Sequence, residues 1–181
     1  MQLSTEEAIR SPALSEVQLA AWKSFLKAHA VITRALERQL IETHRLPLAE
    51  YDVLVQLSEA EGGALRMSQL ADRVLLSRSG LTRLVERLER DGLVERSNCS
   101  SDARGSYAVL TQLGVQRLRE AAPAHLESVK TLFAEPLTDD QVEAMRQALE
   151  LLAAAVPAGC AAALPDPEIA PVGADPGDCV A

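Results

Sequence analysis

At Asp91-Gly92 the apolar spacing of the chain turns from helical to strand-like, and that change limits the folds open to it. Before it, Leu81, Leu84, Val85 and Leu88 fall at i, i+3, i+4 and i+7, a stripe that lays one face of a helix on a core. After it, "LVERS" (93–97) and "SYAVL" (106–110) read as two short strands, and the turn-rich "NCSSDARG" between them closes a hairpin. Gly92 suits the left-handed residue that ends a helix. Ahead of the stripe, "MSQLADRVL" predicts a short helix capped by Ser68, with Leu70, Ala71 and Val74 inward. "LSRSG" separates it from the striped helix, which Ser77 can cap.

Short helix, tight turn, second helix and two-stranded hairpin together make a winged helix-turn-helix. The flanks are helical. From Ser15 to about His44, Trp22, Phe25, Leu26, His29, Ile32, Leu36 and Leu40 recur at helical spacing. A helix that long needs something to pack on along its whole length, and a partner subunit is one answer. Pro47 opens another, to about Ala60, which "EGG" ends. Thr111 caps a helix to about Ala134 that Pro123 should bend. The capping box "TDDQ" (138–141) starts the last, with Val142, Met145, Leu149 and Leu152 on its apolar face. The expected fold class is mainly α with a small β-hairpin wing. Its expected parts are an irregular N-terminus (1–14), a dimerisation helix (15–46), the winged unit (47–110), two further dimerisation helices (111–156) and a disordered acidic tail (157–181).

Composition excludes several classes of function. No apolar run approaches the ~20 residues that span a bilayer, and no signal peptide is read at the N-terminus, so no membrane partner is expected. Cys99, Cys160 and Cys179 are odd in number and lack metal-ligand spacing, which fits a reduced, cytoplasmic setting. His29, His44 and His125 have no HExxH-like neighbourhood, so neither a metal nor a cofactor is expected. No nucleophile–base pair, phosphate loop or paired catalytic carboxylates emerge, and an enzyme is not expected.

Charge points the other way. The chain carries −8 overall, yet residues 66–104 hold eight arginines against six acids. Five of those arginines fall in "SRSGLTRLVERLERDGLVER" (77–96). Such a face can be merely solvated, with Glu86 and Glu89 pairing along the helix. Here the first half of the helix has few acids nearby, and a hairpin follows at once. A major groove admits one helix, and residues at its N-terminus reach base edges. With the apolar stripe inward, Ser77, Arg78, Ser79, Thr82, Arg83 and Arg87 point outward. Double-stranded DNA is therefore the expected partner. A winged helix that binds proteins instead is the alternative, and it would more often show an apolar patch on that face.

From Leu48 to Leu152 the chain resembles the MarR family of transcriptional regulators. The carrying residues are "MSQLADRV", "SRSGLTRLVERLERDGLVER" and "SDARGSYAVLTQLG". The resemblance implies an intertwined homodimer on a pseudo-palindromic operator, with one recognition helix in each major groove and each wing at a flanking minor groove. Ser77, Arg78, Ser79, Thr82 and Arg83 would read the major groove. Arg104 would be the wing-tip residue, and Asp102 would hold the wing by pairing with a basic side chain. Many members have a second basic residue where this chain has Ala103, which implies a weaker grip. Some members sense oxidants through a cysteine near the start of the first long helix, and none lies between Ser15 and His44 here. The resemblance also implies a repressor relieved by a small aromatic or phenolic effector, for which Trp22, His29, Tyr51 and Asp52 are the candidates. Their ordinary roles would be core or dimer packing for Trp22 and Tyr51, and a surface or hinge ion pair for Asp52.

Overall fold

The computed structural model describes residues 14–74, 78–98 and 106–155. Helix α1 runs Glu16–His44. Ser15 and Gln18 cap its start reciprocally: the Gln18 amide donates to Ser15 Oγ at 3.2 Å and the Ser15 amide to Gln18 Oε1 at 2.9 Å. Its end is closed by Arg45, left-handed at φ 50°, whose amide donates to the Ile41 carbonyl at 2.9 Å. The sharp reversal drops Leu46 into the core and lets Pro47 start α2 (Leu48–Ser58). Pro47 offers no side-chain cap. Glu37 of α1 supplies one, its Oε2 accepting from the Leu48 amide at 2.6 Å.

Strand β1 (Ala64–Arg66) follows a glycine turn in which Gly62 and Gly63 both take positive φ. Then come α3 (Met67–Arg73), α4 (Arg78–Arg90), β2 (Val94–Asn98) and β3 (Ser106–Leu110). The sheet has three antiparallel strands in the order β1-β3-β2, with Leu65 opposite Ala108 and Arg96 opposite Ala108 on the other side. The sequence pattern predicts β2 and β3 and misses β1.

The stripe of α4 is the heart of the core: Leu81, Leu84, Val85 and Leu88 are all buried, against Leu54, Leu57, Leu70 and Val94. At the end of α4, Gly92 at φ 71° lets the Leu93 amide reach back to the Leu88 carbonyl at 2.9 Å.

Helix α5 (Gln112–Val129) is capped by Thr111, whose Oγ1 accepts from the Gly114 amide at 3.0 Å and donates to the Gly92 carbonyl at 2.7 Å. Pro123 lies within this helix, which continues past it. One wide helical turn follows over Lys130–Ala134. The residues α5 buries are Gly114, Ala121 and His125, while the apolar Leu126 and Phe133 stay exposed. Helix α6 (Asp139–Ala155) opens with the expected reciprocal cap between Thr138 and Gln141 and buries none of its residues. The expectations for 1–13 and 157–181 lie outside the described residues.

Candidate nucleic-acid interface

Once the stripe of α4 is committed to the core, the opposite face of that helix is fixed. Arg83 is exposed on it, and among the described residues no ion pair or hydrogen bond holds its guanidinium. Ser79 is exposed and Thr82 half-buried beside it. Arg78 is the first residue of the helix. Ser77, and with it Asp102, Arg104 and Cys99 of the wing loop, lie outside the described residues.

Two other arginines of this region are held by acids. Arg87 Nε lies 2.9 Å from Oε1 of Glu50, a buried residue of α2. Its helical position predicts an outward DNA contact, but its charge is met by Glu50. The pair holds the second half of α4 on α2. Arg96 of β2 reaches back across the turn, with Nε 3.1 Å from Glu89 Oε2, Nη2 3.9 Å from Glu86 Oε1, and Nη2 donating to the Thr82 carbonyl at 3.1 Å. Glu86 and Glu89 thus serve a strand arginine across the domain. One consequence is electrostatic: Arg96 offsets part of the acidic charge of α4 from behind, while Arg83 lies on the outer face.

Arg66 and Tyr107, to which the sequence pattern assigns no role, lock β1 to β3. Arg66 Nε donates to the Tyr107 hydroxyl at 2.8 Å, and the guanidinium carbon is 5.4 Å from the ring centroid. This strap holds the root of the hairpin. Tyr107 stands directly opposite Arg66 in the β1–β3 register, a relation invisible until β1 is known.

The four effector candidates fall into two groups. Trp22 stacks on Phe25 at 5.9 Å, and Phe25 lies 6.4 Å from His29, an exposed aromatic run along α1. Tyr51 is buried against His125 of α5, ring centroids 4.4 Å apart. Among the described residues no ring contact joins the two groups. Burial, and then the nearby Asp52 and Glu59, raise the Tyr51 phenol above its ordinary range. Burial also lowers the His125 imidazole, whose Nδ1 has no hydrogen-bond partner. Asp52 is exposed as a residue, but its carboxyl is crowded; that desolvation, and then Glu37, push it up to about 6. A separate cleft of about 330 Å³, with Arg45, Glu50, Leu93, Leu113 and Arg117 in its walls, includes none of the four.

Comparison with known proteins agrees with this arrangement. The MarR family model matches residues 44–105. AbsC, a MarR family transcriptional regulator from Streptomyces coelicolor, superposes with a TM-score of 0.74 at 36% identity, over 80% of this chain and 97% of that one. Sco3205, a MarR family regulator of the same organism solved in complex with DNA, gives 0.75 at 34% identity, over 79% of this chain and 90% of its own. The transcriptional regulator MhqR of Bacillus subtilis is 27% identical over 131 residues, 69% of this chain and 88% of that protein. With α4 presented by the winged unit and likeness at this identity and coverage, the chain belongs to the MarR family of winged-helix, DNA-binding transcriptional regulators.

Proposed function

We propose that the chain acts as a homodimeric repressor that lies across a pseudo-palindromic operator, one α4 in each major groove. A partition of the surface carries this reading. Among the described residues, the large apolar side chains left exposed lie on α1, α5, α6 and the segments adjoining them. None lies on α2, α3, α4 or the sheet. Leu151 is 73% exposed, Leu152 61% and Trp22 52%. Surface of that kind favours a second copy of the chain as its cover. The polar face of α4, with exposed Arg83, suits a duplex. A protein-binding winged helix would more often place an apolar patch there, so the surface favours DNA.

In this reading Ser77, Arg78, Ser79, Thr82 and Arg83 face the major groove, Arg104 makes the wing contact, and Asp102 holds the wing by pairing with a basic side chain. Arg87 is left out because Glu50 holds it. Repression follows if the operator overlaps a promoter, since a dimer spanning two half-sites excludes other proteins from them. A small aromatic or phenolic effector that wedges beside Trp22 and His29 would alter the distance between the two recognition helices. That distance must match one turn of DNA.

The experiment is selection of duplexes from a randomised pool by the full chain, with sedimentation in parallel. Enrichment of an inverted repeat by a dimer is expected. A monomer that enriches no sequence would overturn the reading.

A further inference from the structure

The first turn of α2 is tied on two sides. At its start the Leu48 amide donates to Glu37 of α1 at 2.6 Å. Two residues on, Glu50 accepts from Arg87 of α4 at 2.9 Å. Both are hydrogen bonds to a carboxylate, which are stronger than neutral ones. Glu50 is buried at 7% exposure, while the Arg87 side chain is 48% exposed. A buried carboxylate is costly without its cation, so Glu50 dictates where Arg87 lies. A helical turn is stiff. This turn of α2 therefore offers a route by which a shift of α1 relative to the core can reach α4. Among the described residues the other ionic tie on α4 comes from Arg96 of β2, on the wing side.

We propose that Glu37, Glu50 and Arg87 form one positioning linkage that sets α4 against α1, so that Arg87 acts on DNA affinity through Glu50 and not by touching DNA. This rests on the DNA-binding reading above. It gives the long helix α1, on which the exposed aromatic run sits, a mechanical route to the recognition helix. Arg87 and Arg83 are one turn apart on α4, yet only Arg83 is left to meet a phosphate or a base.

The test uses the full chain and a duplex that the unaltered protein enriches from a randomised pool. Glu50→Gln and Arg87→Met should each weaken binding about tenfold, which is ~1.4 kcal/mol. The double variant should lose little more than the worse single one, because both break the same tie. The slope of log K against log salt should stay at its original value, and Arg87→Lys should recover part of the loss. Without DNA, Glu50→Gln and Glu37→Gln should both speed amide hydrogen exchange in residues 78–90. A direct phosphate contact would give the opposite pattern. Arg87→Met would then flatten the salt slope by about 0.9 for each phosphate no longer neutralised, while Glu50→Gln, which removes a negative charge, would bind as well or tighter. That pattern overturns the linkage. If the unaltered protein enriches no duplex, the DNA reading fails, and the exchange measurement still decides: unchanged exchange in α4 in both glutamine variants overturns the linkage by itself.

Discussion

His125 of α5 packs tilted against the ring of Tyr51 of α2, centroids 4.4 Å apart at 45°, and its Nδ1 has no hydrogen-bond partner. A neutral imidazole is therefore built into the packing of α5 on the winged unit. Burial keeps it below its ordinary value of 6.5. As pH falls, the unfolded chain takes up that proton before the folded one does. The stability carried by His125 is whole above about pH 6.5 and declines below it. Asp52 acts in the opposite sense. Its carboxyl is pushed up from 3.8 to about 6, so its contribution is whole below about pH 3.8 and is lost as pH rises through about 6. Thermal melts from pH 4 to 8 check both. His125→Leu should flatten the decline on the acid side. Asp52→Asn should raise the melting temperature at pH 7 and remove the opposing slope between pH 4 and 6.

Replacement of Arg83 by Ala should leave the fold intact, because no ion pair or hydrogen bond in the described structure holds that side chain. Operator affinity should fall by ~1–3 kcal/mol per base contact, or the salt slope should flatten if the contact is to phosphate alone. Fluorescence anisotropy across a salt series distinguishes the two. Affinity and slope that both match the unaltered protein would remove Arg83 from the interface.

Gly114 should tolerate no side chain. A Cβ there would lie 2.2 Å from the Leu93 carbonyl oxygen and 2.7 Å from Leu110 Cδ1. The leucine can rotate away, but the carbonyl belongs to the turn that Thr111 pins. Gly114→Ala should cost about 1–3 kcal/mol or more, as overpacking does. Thr111→Val, which keeps the shape and removes the cap, should cost ~1 kcal/mol. Urea denaturation of the two variants measures both.

Leu151→Glu with Leu152→Glu should shift the chain from dimer to monomer in sedimentation. Both side chains are exposed in the single chain, and burial of a leucine is worth roughly 1.5–3 kcal/mol. DNA affinity should fall with the dimer, since one half-site then binds without the other. A dimer unaffected by both charges would place the subunit contact elsewhere.

Local pattern sufficed for the elements whose own residues set their period and caps. The stripe of α4 is amphipathic whatever surrounds it. Ser15, Thr111 and Thr138 cap their helices through bonds to amides three residues away, and Gly92 ends α4 through its own backbone freedom. The motif around α4 is enough to expect the family, and Arg83 is expected outward from its spacing alone. Tertiary structure decided the rest, because the deciding partner is distant in sequence. Strand β1 is three residues without alternation, and it exists because the far edge of β3 offers it hydrogen bonds. Arg87 has the helical position of a DNA reader, yet its partner Glu50 lies 37 residues earlier, and a buried carboxylate outcompetes solvent for it. His125 carries no motif at all. It is buried because α5 crosses α2 at Tyr51, and the energy of that contact depends on two helices meeting, which no single stretch of the chain can specify.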